Sequence, residues 1–325
     1  MSVPVGSARR SARRRAALLY GGLLVGIAIA FVVTVAILNS TVYSASGFVR
    51  GYLHALDRGD TASALGLAGV TPSADDVLLT IPEDGRIDDI STTAKGDRVT
   101  ASFLLDGTRH EAVYDVAPTG AFGGLFTAWG FRTTPTAFLD VTPEHDPRFT
   151  ANGVDVKAEG SDIATRYTVL APAVFDLTRD TTYLTADQTT VVAAAPGAVA
   201  KGTVDVEPRK SFTDGVRRDV TKYLRTTCVS QKVLFPAGCP FGKEVDDRVT
   251  STPTWSMTAY PPVALKPTKT SGVWIVKRAA GRAHLEVEAQ SLFDGQAYDI
   301  DEDVPFDVEY LVTIGSDNNL TITPR

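Results

Sequence analysis

The chain has 325 residues and carries 32 basic against 38 acidic side chains, a net charge of −6. Five of the basic residues sit together at the N-terminus, so the remainder holds 27 basic against 38 acidic residues, near −11. A surface of that sign repels nucleic acid and other phosphate-rich polymers, which excludes a general polyanion-binding role. With 44% hydrophobic residues, the chain is long enough to bury two or three cores of about 100–200 residues each.

The first feature in chain order is Arg9, Arg10, Arg13, Arg14 and Arg15, followed by 23 uncharged residues from 16 to 38. As a helix, that run would be about 34 Å long, enough to cross a hydrocarbon core of about 30 Å. The positive-inside bias holds the arginines in the cytoplasm. Residues 1–15 therefore read as a cytoplasmic basic segment and 16–38 as a transmembrane helix, with everything beyond it outside the cytoplasm. A cleaved secretory signal is the competing reading. Its apolar core would be about 7–15 residues, shorter than this one. Ser44-Ala45-Ser46 offers small residues for cleavage, but late. No Cys follows the apolar run closely enough for a lipoprotein anchor.

Residues 44–56 predict a first helix, with Phe48, Val49, Tyr52, Leu53 and Leu56 along one stripe. Nothing before Ser44 forbids the membrane helix from continuing into it. Gly59 can adopt the left-handed conformation that closes this helix, and Asp60 can cap a second one over residues 61–68. Arg58-Gly59-Asp60 is also the tripeptide that adhesion receptors read, but capping already accounts for both Gly59 and Asp60. Val99, Ala101, Phe103 and Leu105 alternate with Thr100, Ser102 and Leu104. Asp106-Gly107 then turns the chain into His110, Ala112, Tyr114 and Val116. Further strands are expected at 125–131 and 136–141. A helical corner on a curved antiparallel sheet is an α+β layer arrangement, here spanning residues 39–147.

Between residues 148 and 207 helical periodicity disappears. Short β segments separated by Asn152-Gly153, Ala171-Pro172 and Pro196-Gly197 predict a small all-β, sandwich-like unit. Periodicity returns at Ser211-Phe212-Thr213-Asp214, which fits a capping box, with Phe212, Val216, Val220, Tyr223 and Leu224 on one face. Cys228 and Cys239 follow, the only cysteines of the chain. In an oxidising compartment the simplest pairing is one disulfide, preferred over free thiols or a zinc site, which would need two further ligands. Strands are expected at 254–260, 273–278, 283–289, 306–314 and 320–323. Residues 208–325 thus form a second α+β unit stapled by the disulfide.

This layout resembles actinobacterial single-pass, membrane-anchored envelope proteins of unassigned function. It is distantly similar to TcaA-like proteins, and its helix-plus-sheet units resemble NTF2-like (cystatin-like) modules. The resemblance rests on Phe48-Val49-Arg50-Gly51-Tyr52-Leu53 with the Arg-Gly-Asp corner, on Cys228 with Gly238-Cys239-Pro240-Phe241-Gly242, and on Asn152-Gly153-Val154. The chain departs from TcaA-like proteins in lacking N-terminal zinc-ribbon cysteines. It offers no catalytic motif onto which a family's residues can be carried.

No catalytic, cofactor or metal residue is assigned by the sequence. His54, His110, His145 and His284 lack metal-ligand spacing, and Gly120-Ala121-Phe122-Gly123-Gly124 lacks the ending of a phosphate loop. No Gly-x-Ser-x-Gly elbow stands outside the apolar run. His284, Glu286 and Glu288 read as the polar face of a strand, with an acid–base cluster in a sheet concavity as the alternative. Asp299, Asp301, Glu302 and Asp303 read as a solvated acidic loop and a candidate weak cation or basic-partner contact. The expectation is a non-enzymatic extracytoplasmic binding or assembly protein, in contact with the bilayer through residues 16–38 and with an envelope protein or wall component. What the resemblance implies for its role is envelope maintenance or a wall-stress response. The alternative is an NTF2-like enzyme with a scattered acid/base pocket.

Overall fold

The computed structural model describes residues 8–325 except 75, 83 and 316, with side chains from residue 20 onward. The basic segment thus lies outside the described residues, save for the helical backbone from residue 8. Helix α1 (Ala8–Thr41) contains a 22-residue stretch, Tyr20–Thr41, with mean hydropathy 2.7 and no buried residue. It is long and apolar enough to cross a membrane.

α1 does not continue into α2 (Ala45–Asp57). The chain turns after Thr41, and Ser44 caps α2 by accepting the Gly47 N–H at 3.0 Å. A Cβ at position 47 would stand 2.3 Å from the Val42 carbonyl oxygen and 2.4 Å from that of Thr41, so only glycine admits this corner. The second corner follows the sequence reading: Gly59 lies at φ 67° and Asp60 caps α3 (Thr61–Ala68) through Ser63 N.

An antiparallel sheet then forms from β1 (Ile87–Lys95), β2 (Arg98–Leu105), β3 (Thr108–Phe122) and β4 (Phe126–Phe131), in that order. Bulges in the β1–β2 and β3–β4 pairings bend it. The Asp106-Gly107 turn has both residues at positive φ, the conformation a two-residue hairpin requires. Val49, Tyr52, Leu53 and Leu56 of α2 and Val99, Phe103, Leu105 and Tyr114 of the sheet share one core.

Two phenols in that core have opposite fates. Tyr52 donates to the Ala171 carbonyl at 2.9 Å, whereas the Tyr114 hydroxyl has no partner among the described residues. Burial raises both pKa values above the usual tyrosine range. Tyr52→Phe orphans a buried carbonyl and is expected to destabilise by about 1–3 kcal/mol; Tyr114→Phe removes an unmet hydroxyl and is expected to be neutral or stabilising. Urea midpoints of the two variants check this contrast.

The middle of the chain is all strand: β5 (Thr136–Glu144), β6 (Arg148–Ala151), β7 (Val154–Lys157), β8 (Thr165–Leu170), β9 (Ala173–Asp180), β10 (Leu184–Ala193), β11 (Val199–Asp205) and the short β12 (Glu207–Pro208). They form two sheets, ordered β12-β10-β9-β6-β7 and β11-β5-β8. The chain divides into two compact units. One holds the residues up to Leu139 with Tyr167–Val174 and Val192–Ala200; the other holds Asp140–Arg166, Phe175–Val191 and Lys201–Arg325.

In the second unit, α4 (Lys210–Tyr223) begins one residue before the expected capping box, and no side chain caps it. Ser211 Oγ instead donates to the Thr182 carbonyl, which removes it from the capping role. A π-turn, Leu224–Cys228, ends the helix. Strands β13 (Arg248–Val249), β14 (Thr254–Ala259), β15 (Leu265–Pro267), β16 (Val273–Gln290), β17 (Ala297–Ile314) and β18 (Leu320–Pro324) build the final sheet, with β16 paired to β13, β14, β15 and β17. The architecture is α+β with an N-terminal apolar helix.

Candidate functional site

The dominant element of the second unit is the β16–β17 hairpin, 18 residues on each strand. The sequence predicts two strands at 273–278 and 283–289; the structure makes them one. A bulge between Val276 and Ala279 absorbs the polar interruption, and Gly281 lets the chain pass under Phe306, whose Cζ would be 2.4 Å from a Cβ there. Ala283, Leu285, Val287 and Ala289 face the core, while Arg282, Glu286 and Glu288 are exposed.

Asp299, Asp301, Glu302 and Asp303 are strand, not loop. Their alternation with Tyr298, Ile300 and Val304 is the period-2 signal that the run of acids obscures. The register sets His284 opposite Asp303, Glu286 opposite Asp301 and Glu288 opposite Asp299. Like charges directly opposite one another destabilise a sheet. His284 offsets part of this: Nδ1 lies 3.0 Å from Asp303 Oδ1 and Nε2 lies 3.0 Å from Asp301 Oδ1, with Glu286 at 3.7 Å. Thr258 Oγ1 also donates to Asp303, at 3.2 Å. Glu302 points to the other side of the strand and pairs with Lys243 at 2.6 Å. The four acids are therefore split between two faces. Asp299 and Asp301 share an open groove of about 340 Å³ with Glu286, Glu288, Ser251 and Thr254.

The hydrogen bond to Asp303, reinforced by Asp301 and Glu286, raises the His284 pKa above 6.5. A raised folded-state pKa means the stabilisation is complete below the unfolded value and fades as pH rises through the folded one. The expected result is a weaker hairpin above that pH and a flattened pH dependence of stability in His284→Gln. An imidazole NMR titration gives the folded pKa directly.

At its tip the hairpin carries Leu292 and Phe293, 73% and 99% exposed. This turn is tightly held. Ser291 N donates to the Gln296 carbonyl at 2.9 Å, and the Ser291 hydroxyl accepts the Phe293 N–H at 3.2 Å. Asp247 accepts the Leu292 N–H at 3.0 Å and the Tyr298 hydroxyl at 2.6 Å, bonds that lower its pKa below the usual carboxylate range. A rigid turn thus presents two large apolar side chains to solvent. The sequence signal is Leu292-Phe293 between Ser291 and Asp294-Gly295, an apolar pair inside turn chemistry.

His54 is exposed on α2, as its place off the apolar stripe implies, and His110 lies opposite Phe103 on β3. His145, at φ 69°, meets Glu144 and Asp205 with donor atoms within 4.8 Å of one another. Its Nε2 is 3.7 Å from Asp205 Oδ1 and its Nδ1 is 3.9 Å from Asp162 Oδ1. Among the described residues this group has the spacing to share an ion. Sequence spacing misses it, because Asp205 comes from a strand sixty residues downstream.

Cys228 and Cys239 are bonded, with Cα atoms 5.6 Å apart. The bond joins the end of the α4 π-turn to the following loop, where the Tyr223 hydroxyl also donates to the Gly238 carbonyl at 2.9 Å. Cys228→Ser/Cys239→Ser is expected to lose about 3 kcal/mol by denaturant unfolding, since the link restricts the unfolded chain.

Comparison with known proteins finds no matching family model, curated protein or solved structure.

Proposed function

We propose that this protein is a non-enzymatic, extracytoplasmic binding or assembly protein, held in the cell membrane by α1 and engaging an envelope partner through the β16–β17 tip. The observation that carries the reading is the exposed Leu292–Phe293 pair on a turn whose conformation is fixed before any partner arrives. Pre-ordered apolar side chains lose little entropy on docking, and a buried aromatic anchor supplies a large share of binding energy. The acidic residues along the same hairpin favour a partner with a basic rim and a salt-sensitive association. The apolar helix and the disulfide support an anchored, exported chain. We assign the α2–α3 corner with its bent sheet to the NTF2-like kind of module, and the role to envelope maintenance or wall stress.

The test is a photo-crosslinking residue at position 293 in growing cells, with a second at exposed Lys95 as control. A discrete adduct at 293, absent at 95 and weakened by Leu292→Ser, is the expected outcome. Equal labelling at both positions contradicts the docking role.

A catalytic reading draws support from one observation, His284 between Asp301 and Asp303 beside a groove. Joint replacement of His284 and Glu286 by alanine decides between the two. Loss of all rescue of a null strain, with folding and the adduct at 293 intact, would favour an NTF2-like enzyme.

A further inference from the structure

The β3–β4 turn, where the sequence shows a glycine-rich run that is not a phosphate loop, has a different use. No charged residue occurs from 116 to 131. The turn places Gly123 and Gly124 at φ 59° and 70°, conformations open to glycine, and leaves Phe122 and Leu125 68% and 48% exposed. This apolar tip is fastened to the end of α1. The Asn39 side-chain amide donates to the Leu125 carbonyl at 2.8 Å and accepts the Thr127 N–H at 3.0 Å, bridging as a neighbouring strand would. Tyr43 stacks on Phe126 at 4.4 Å, and the Trp129 indole donates to the Tyr43 carbonyl at 2.8 Å.

These bonds set the depth of the tip. Asn39 lies two residues before the end of the apolar stretch Tyr20–Thr41, about 3 Å along the helix axis. At about 1.5 Å per residue, the stretch is about 33 Å long, against a hydrocarbon core of about 30 Å. Its last residues therefore reach the boundary between acyl chains and headgroups, and the tip bonded to Asn39 reaches it too. Turn backbone is excluded from the hydrocarbon centre, where its polar groups would go unmet, but is tolerated where headgroups and water remain. Tyr and Trp concentrate at this same level.

We infer that the β3–β4 tip is a second membrane contact, with Phe122 and Leu125 inserted at the headgroup–acyl boundary of a phospholipid bilayer and Tyr43 and Trp129 in the interfacial belt. The inference rests on α1 being the membrane anchor. Its consequence is that the first unit is held on the bilayer at two points, α1 and the tip, and does not swing from a single tether.

The experiment uses the full chain in phosphatidylcholine nanodiscs, with an environment-sensitive fluorophore on single cysteines introduced as Ala30→Cys, Phe122→Cys, Leu125→Cys or Glu111→Cys. Glu111 lies eleven residues back along β3 from Phe122, about 36 Å at the usual rise per residue. Lipids carrying doxyl quenchers near the headgroup or deep in the acyl chain report depth. Labels at 122 and 125 are expected to lose most of their emission to the shallow quencher and little to the deep one, with 30 showing the reverse and 111 unaffected. Quenching at 30 without quenching at 122 and 125 would overturn the second contact while leaving the anchor in place. Absence of quenching at 30 would overturn the anchor reading, and the contact with it.

Discussion

Asp146→Ala is expected to destabilise the protein by about 3–5 kcal/mol, the range for removing one partner of a buried ion pair. Asp146 is fully buried. It accepts Arg148 Nε at 2.8 Å, Arg148 Nη2 at 2.7 Å and the Arg148 N–H at 3.0 Å. These bonds raise the Arg148 pKa, and their loss would leave a half-buried guanidinium unpaired. Asp146→Asn, which keeps the shape and one acceptor, should fall between wild type and alanine. Urea unfolding with an unchanged slope measures both. A loss below about 1 kcal/mol for alanine would show that water replaces the pair at little cost.

Trp274→Ala should cost a similar amount, about 3–5 kcal/mol, because it removes the largest fully buried side chain of the second unit. Trp274 opens β16, meets the Phe212 ring edge-on at 5.9 Å and lies 6.3 Å from the His145 ring. Its indole N–H has no partner among the described residues. Trp274→Phe therefore forfeits volume without orphaning a polar group and should retain most of the stability. A phenylalanine variant as unstable as alanine would contradict a pure packing role.

The α2 stripe, the Gly59–Asp60 corner and the Asp106-Gly107 hairpin were legible because each is decided by residues within a few positions of one another. The break between α1 and α2 was not. Its cause is Gly47 meeting the carbonyls of Thr41 and Val42, a three-dimensional approach that no periodicity records. The continuity of β16 through Lys277 to Gly281 was hidden in the same way, since a bulge and the Phe306 ring compensate for a weak local strand pattern. Asp299 to Asp303 looked like a loop because acids are depleted in strands. His284, which bonds Asp301 and Asp303, comes from the partner strand, beyond local reading. The His145 group joins the adjacent Glu144 and His145, at the end of β5 and in the following turn, to the distant Asp205 of β11.

Docking of the β16–β17 tip on an envelope partner requires the chain beyond α1 to lie outside the cytoplasm. The direct measurement is labelling of intact cells by an impermeant thiol reagent. It uses single added cysteines, Val5→Cys and, at an exposed position away from the docking tip, Asn318→Cys, with the native pair closed as a disulfide. Immediate labelling is expected at position 318, and labelling at position 5 only after the membrane is permeabilised. Labelling at position 5 in intact cells with protection at 318 would reverse the orientation and contradict the proposed function.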